Sequence, residues 1–545
     1  MHILGINALY HDPAAALVID GITVAAAEEE RFSRRKHGKR PVPFAAWELP
    51  ELAARWCLEH AGLRVDELDI VTYSFDPVLR LSPSELRLND PWDDLRQDYA
   101  TRAPEFLAAA LPGLDPNQVR FVAHHVAHAA SAGLAAPFDG DCAVLVLDGR
   151  GERHSHLAGA FVGGKLDVLH SQQLPHSLGL LYEDATEHLG FLRSSDEYKV
   201  MALASYGKPR QLPHLRELVR ATGDGGFVTA GVDWSELAAR RLPDQPWTQQ
   251  HADLACSLQA VLEEVLLELS QWLYDQTSTP NLALAGGVAL NCVANSRIFS
   301  DGPFDRVWVQ PAAGDAGTAL GGALFAAQEA GDPLASFTGA DLGRGWSDAE
   351  LEAILRKAKL RYERPDDIAE AVAAELADDG IVAWFQGRSE YGPRALGHRS
   401  LLAHPGRVAN LQRLNDVKGR EQFRPVAPMV LASRAGELFD RGPIPSPYML
   451  FVHDVAPSWR DRIPAVVHVD GTARIQSMDP ADEPLVARML AGFERRTGLP
   501  VVVNTSLNTA GRPMVDSPMD ALECFGSTPV DLLALGPFAV RRAAL

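Results

Sequence analysis

Two histidines, His124 and His128, stand four apart in the stretch 121–133, which is otherwise mostly small and apolar. Read as a buried helix, that spacing puts both imidazoles on one face, one turn apart. Neutral imidazoles so placed can share a transition metal, although a buried pair also serves as a hydrogen-bonded core feature. Two acids stand where they could join them. Asp148 ends an apolar run that begins at Cys142, and Asp315 follows the apolar run Val307–Gln310. Taken singly, they read as an Asp-Gly turn and a helix N-cap. Taken together, the four form a His₂Asp₂ set, whose mixed donors suit iron, manganese or zinc better than magnesium. With an ATP phosphate completing the shell, such an ion would polarise or orient the triphosphate.

These residues need elements to hold them. Apolar runs at 2–7, 15–19 and 22–27 predict a β-meander, with His11 and Asp12 in its first loop. A second meander starts at 142, about 140 residues later, and such a repeat predicts two similar α/β lobes facing a cleft. Gly149/Gly151 and Gly286/Gly287 each follow a buried strand, where backbone amides can approach a phosphate. Neither turn fits the dinucleotide or Walker pattern, and a lone Gly-Gly is ordinarily only a turn. Arg31, Arg34, Arg35 and Lys36 lie within 28–38 and either face a phosphorylated ligand or form a solvated loop. The Pro- and Asp-rich stretch 76–118 reads as a lid or insertion.

The pattern loosens between 330 and 365, and a domain boundary is placed after 350, giving domains 1–350 and 351–545. In the second, Arg388, Arg394 and Arg399 fall in 387–400, and Lys418, Arg420 and Arg424 in 417–425. In a chain of net charge −20 this local excess of cation suits a pocket for a small phosphate, or else salt bridges to the many carboxylates. The same charge argues against a broad nucleic-acid surface. No apolar run reaches a membrane span, the first residues Met-His-Ile-Leu-Gly-Ile-Asn read as a strand and not as a basic and apolar leader, and the five cysteines lack a Cys-x-x-Cys pair. A cytoplasmic protein is expected.

The set His-Asp-x-x-Ala-Ala-Leu (11–17), Glu-Glu-Glu-Arg-Phe-x-Arg-x-Lys-His (28–37), His-His-x-x-His-Ala-Ala-Ser-Ala (124–132), Asp-Gly-x-Gly-Glu (148–152), Ala-Gly-Gly-Val-x-Leu-Asn (285–291), Gly-Pro-Arg-Ala-Leu-Gly-x-Arg-Ser (392–400) and Asn-Thr-Ser-x-Asn (504–508) closely resembles the NodU/CmcH family of O-carbamoyltransferases. The resemblance implies an α/β protein: a duplicated actin-like (ASKHA) domain with a metal and ATP cleft, then a YrdC-like domain. It implies Fe(II) or another divalent ion on His124, His128, Asp148 and Asp315, and nucleotide contacts from Gly149, Gly151, Gly286, Gly287 and Asn291. Lys418, Arg424 and Arg474 match residues that bind carbamoyl phosphate, Lys36 a basic residue at the transfer site, and His11 the histidine proposed as base. Arg150 departs from the pattern, since relatives carry a smaller or neutral residue there. The implied reaction makes carbamoyl-adenylate from carbamoyl phosphate and ATP, then carbamoylates a hydroxyl of a natural product such as an antibiotic or a sugar.

Two rivals share parts of this pattern. A tRNA threonylcarbamoyl transferase would keep the metal set, but the acidic charge and the extra domain disfavour it. A sugar kinase or non-catalytic nucleotide sensor would need neither the His₂Asp₂ set nor the second domain.

Overall fold

An Asp-Gly pair with both residues at positive φ (Asp20, 50°; Gly21, 78°) closes the first hairpin, as a two-residue turn between twisted strands requires. It joins Ala14–Ile19 (β2) to Ile22–Glu28 (β3), and β2 pairs antiparallel with His2–Asn7 (β1). Ile70–Tyr73 (β4) and Val119–Phe121 (β5) add in parallel, giving the order β3-β2-β1-β4-β5. This computed structural model describes residues 1–38, 49–88 and 92–542.

The order then recurs. Cys142–Leu147 (β6), His154–Val162 (β7) and Lys165–Gln173 (β8) form a second antiparallel meander. A short ribbon follows, Val219–Ala221 (β9) with Phe227–Thr229 (β10). Asn281–Ala285 (β11) and Arg306–Val309 (β12) then pair in parallel with β6, giving β12-β11-β6-β7-β8. Two sheets with one strand order make the two similar α/β lobes expected from the repeat, the duplicated architecture that the family resemblance implies.

Two helices cross between the sheets. Helix His124–Gly133 follows the first sheet in sequence but packs on β6, β7 and β11 of the second. Helix Ala316–Ala330 follows the second sheet but packs on β1, β2 and β4 of the first. The helices also touch each other through small residues. A Cβ on Gly321 would stand 1.8 Å from the Ala127 carbonyl oxygen, and one on Gly5 1.8 Å from that of Ala319. Backbone meets backbone there, which only glycine permits.

The described residues of 76–118 pack into the core instead of forming a lid. Helices Asp93–Thr101 and Ala103–Ala110 place Tyr99 and Leu107 in the same buried core as Leu4 and Val71, with Leu111 and Leu114 beside them. Three of its prolines start helical turns: Pro83, Pro104 and Pro116 each occupy a first turn.

The chain divides into units Met1–Gly339 and Ala340–Leu545, so the boundary falls before 350. Residues 340–350 are tied to the second unit. Arg344 Nε donates to Asp516 Oδ2 at 2.7 Å, and Trp346 Nε1 donates to the Asp516 carbonyl at 3.2 Å. The second unit is a mixed α/β body. Its strands are Val382–Phe385 (β13), Arg399–Ala403 (β14) and Ala427–Leu431 (β15), a ribbon of Phe439–Asp440 (β16), His453–Val455 (β17) and Thr472–Ala473 (β18), then Gln476–Met478 (β19), Val501–Ser506 (β20), Leu532–Leu535 (β21) and Phe538–Arg541 (β22). Seven of them form one sheet in the order β19-β15-β20-β14-β13-β21-β22.

Candidate metal and nucleotide centre

His124 opens its helix with no side-chain cap from the residue before it. Its N–H instead donates to Glu152 Oε1 at 2.8 Å, and the same oxygen accepts from the Asp76 N–H at 2.8 Å. This anchors the helix start to the loop after β6. His124 Nδ1 lies 3.1 Å from the Ser74 carbonyl oxygen. A carbonyl only accepts, so Nδ1 carries a proton, and Nε2 is the nitrogen left for a metal, which would displace any proton it holds.

Nε2 faces the acids. His124 Nε2 is 3.4 Å from Asp148 Oδ2 and 3.6 Å from Asp315 Oδ1, and His128 Nε2 is 3.8 and 3.5 Å from the same atoms. Asp148 directly follows β6, and Asp315 stands just ahead of helix Ala316–Ala330. Both histidines are fully buried, and both aspartates are 7% exposed. Burial opposes charge on His124, yet Asp148 and Asp315 lift its pKa well above the ordinary imidazole value. Asp148 is lowered in turn by the imidazoles, also against burial.

This set fits a divalent ion. One ligand atom from each residue lies within 4.8 Å of all the others. Tetrahedral ligation at about 2.1 Å needs ligands about 3.4 Å apart, close to the spacings seen. Both ring nitrogens of His128 are buried without a hydrogen-bond partner, a costly state that ligation through Nε2 would relieve.

The glycine turns border this cluster. Gly287 N–H donates to Asp148 Oδ1 at 2.9 Å, and the Gly149 carbonyl accepts from Ser177 Oγ at 2.6 Å. A Cβ on Gly151 would stand 2.8 Å from His125 Nδ1. Asn291 serves differently. Its Oδ1 caps helix Cys292–Asp301 by accepting from the Ala294 N–H, and its amide pairs with Gln259. Arg150 lies over the Tyr10 ring, 4.7 Å from the centroid, while the Tyr10 hydroxyl donates to the Gly151 carbonyl. The residue that departs from the family pattern thus packs on the loop that carries His11.

His11 belongs to a second group with Asp12 and His37. Lys36 begins the short turn Lys36–Gly38 beside it and is half-buried. Glu152, the Ser74 carbonyl, Asp12, His37 and Ser194 enter these sites without having been assigned roles from the sequence. Glu152 and His37 stand in quoted motifs, whereas nothing in the sequence marks Ser194.

In the second unit, Lys418 is 4% exposed and donates to Ser506 Oγ at 2.9 Å and to Asn508 Oδ1 at 2.5 Å. Arg424 leads into β15, and Arg474 leads into β19, which runs parallel to β15. Ser506 ends β20, which runs antiparallel to β15. The register therefore brings Lys418, Arg424 and Arg474 to one end of the sheet, and Arg474 Nε is buried without a partner. Other arginines of these loops brace the backbone. Arg399 donates to the carbonyls of Gln386 and His398, and Arg388 to those of Leu342 and Gly343.

Residues 2–324 match the family model for the carbamoyltransferase N-terminus, and residues 373–542 match that for the carbamoyltransferase C-terminus. The chain belongs to the carbamoyltransferase family. It is 37% identical to an uncharacterized protein of Synechocystis sp., over all of this chain and 97% of that one. It is also 37% identical to the nodulation protein NolNO of Sinorhizobium fredii, over 98% of this chain and 80% of that one. Among solved structures, T. kodakarensis HypF aligns with 61% of this chain and 48% of its own, at 15% identity and a TM-score of 0.39. Among the described residues no helix is long and apolar enough to cross a membrane.

Proposed function

We propose that the protein is an ATP-dependent O-carbamoyltransferase acting on a hydroxyl of a small natural product, such as an antibiotic or a sugar. The observation that carries this is the buried His₂Asp₂ set between the crossed helices of an actin-like unit, in a chain of the carbamoyltransferase family.

In this reading, Lys418, Arg424 and Arg474 bind carbamoyl phosphate, and water takes up its phosphoryl group, which leaves carbamate and inorganic phosphate. A carbamate oxygen then displaces pyrophosphate from ATP, giving carbamoyl-adenylate. His124, His128, Asp148 and Asp315 would hold a divalent ion such as Fe(II), which would supply positive charge for orienting the triphosphate. The turns at Gly149/Gly151 and Gly286/Gly287 leave room for the nucleotide to approach the backbone. In the transfer, the acceptor hydroxyl attacks the carbamoyl carbon, a histidine of the His11 group takes its proton, and AMP departs. Lys36 offsets negative charge building on the transferred group. No RNA takes part, and the five free cysteines suit a reducing cytoplasm.

The test supplies ATP and carbamoyl phosphate without RNA and follows the nucleotide products. AMP and pyrophosphate are expected. ADP alone, or no product, sinks the proposal, and ADP would point to a kinase.

A further inference from the structure

Asp12 is the hub of the second group. Its Oδ2 lies 2.7 Å from His11 Nδ1 and its Oδ1 lies 2.8 Å from His37 Nδ1, with the two imidazole centroids 4.7 Å apart. The imidazoles are not equivalent. His11 Nε2 is 2.5 Å from the carbonyl oxygen of Ser194, a group that only accepts. Asp12 only accepts as well: burial works against its charge, but His11 and His37 hold it well below the usual carboxylate range. Both nitrogens of His11 therefore donate, which makes the ring an imidazolium with no lone pair to take a proton. His37 donates through Nδ1 alone, and its Nε2 is buried without a hydrogen-bond partner. Burial also lowers the His37 pKa and keeps the ring neutral, with Asp12, His11 and Glu30 as the charged groups that face it.

The backbone is bent to build this arrangement. Tyr10, Asp12, His37 and Ser194 all have positive φ, at 63°, 43°, 58° and 54°. Residues with side chains adopt that region at a cost, and such positions gather at functional sites. Glu30 Oε2 holds the turn by accepting from the His37 N–H at 2.7 Å.

We infer that His37 Nε2, rather than His11, is the general base of carbamoyl transfer, an inference that rests on the reading given under Proposed function. Asp12 orients His37 through Nδ1, as the acid of a hydrolase triad orients its histidine. His11 is a positioning residue that fastens Asp12 to the Ser194 loop. In the transfer step the acceptor O–H bond breaks and its proton goes to His37 Nε2. The freed electron pair forms the bond to the carbamoyl carbon. The bond from that carbon to the AMP oxygen breaks, and AMP leaves with its pair.

Two measurements on the full chain test this. Nitrogen NMR of ¹⁵N-histidine protein, assigned with His37→Gln and His11→Gln, reads the protons on each ring. An unprotonated Nε2 on His37 and a doubly protonated His11 are expected. A proton on His37 Nε2, or a lone pair on His11, overturns the inference. The second measurement supplies ATP and carbamoyl phosphate, with water as the hydroxyl probe. Pyrophosphate reports adenylate formation, and AMP release reports transfer. His37→Gln should lower AMP release relative to pyrophosphate by about 100-fold or more, and His11→Gln by less. Hydroxylamine, which attacks without a base, should restore carbamoyl release to His37→Gln as hydroxyurea formed only with ATP. Equal loss of both half-reactions, no rescue, or a larger effect of His11→Gln tells against His37. Absence of pyrophosphate from the unaltered protein instead overturns the carbamoyl-transfer reading, and the ring tautomers remain a separate result.

Discussion

One carboxylate serves both halves of the centre: Asp148 Oδ1 accepts from the Gly287 N–H at 2.9 Å, while Oδ2 lies 3.4 Å from His124 Nε2. Asp148→Asn keeps the shape but removes the charge that a cation needs. The variant should bind Fe(II) at least about 100-fold more weakly, given that loss of an outer-shell partner alone costs 10- to 100-fold. His128→Ala should do the same with the fold intact, because the His128 ring makes no hydrogen bonds to lose. Metal analysis of protein loaded anaerobically with Fe(II), beside circular dichroism, checks both. Full metal occupancy in either variant contradicts the ligand set.

The two glycine turns should respond differently to alanine. Gly286 has φ of 91°, and a Cβ there would stand 2.1 Å from the Leu147 carbonyl oxygen. Gly149 has no such conflict, since its nearest contact would be Glu183 Oε1 at 3.4 Å. Gly286→Ala should cost about 3 kcal/mol or more, and Gly149→Ala less than about 1 kcal/mol. Urea denaturation measures both, and equal costs would contradict the turn geometry.

Arg150 on the Tyr10 face predicts a modest packing role. Arg150→Ala should lower stability by about 0.5–1 kcal/mol and leave metal content unchanged. Denaturation curves and metal analysis together check this. A loss of bound metal would mean that Arg150 supports the His124 cluster instead.

Glu197 predicts a pH dependence of stability. Its Oε1 accepts from the Ser194 N–H at 2.7 Å, and burial, helped by Glu183, raises its pKa from 4.5 to about 7. Between those values the folded protein binds the proton and the unfolded chain does not, so stability falls as pH rises through the window and stays level above it. This contribution is on the order of 1–3 kcal/mol. Glu197→Gln should remove it, narrowing the stability difference between about pH 5 and about pH 8. Denaturation of both proteins at the two pH values decides, and an unchanged difference contradicts the assignment.

The gathering of His124, His128, Asp148 and Asp315 was legible because each has a local signature: helical spacing for the histidines, and positions just after strands for the aspartates. The duplicated lobes were legible through the repeated meander. Partners far apart in sequence were not. Nothing in the run 189–196 shows that the Ser194 carbonyl meets His11, because a carbonyl leaves no mark in a sequence. Nor does composition separate arginines that brace loops from those available to a ligand. Arg399 is fully buried, stacked 3.8 Å over the Phe385 ring and spent on carbonyls, although its motif reads as phosphate-binding. The stretch 76–118 misleads for a similar reason, since proline punctuates loops and helix starts alike.

The crossed helices carry a consequence for how an ion would be held. His124 and His128 ride on one, Asp315 stands just ahead of the other, and at Gly321 the two meet backbone to backbone. Such a seam shifts only by separating backbones, so these three residues keep their spacing whether or not an ion is present. A site built in advance spends little binding energy on gathering its ligands, and loading should leave the fold unchanged.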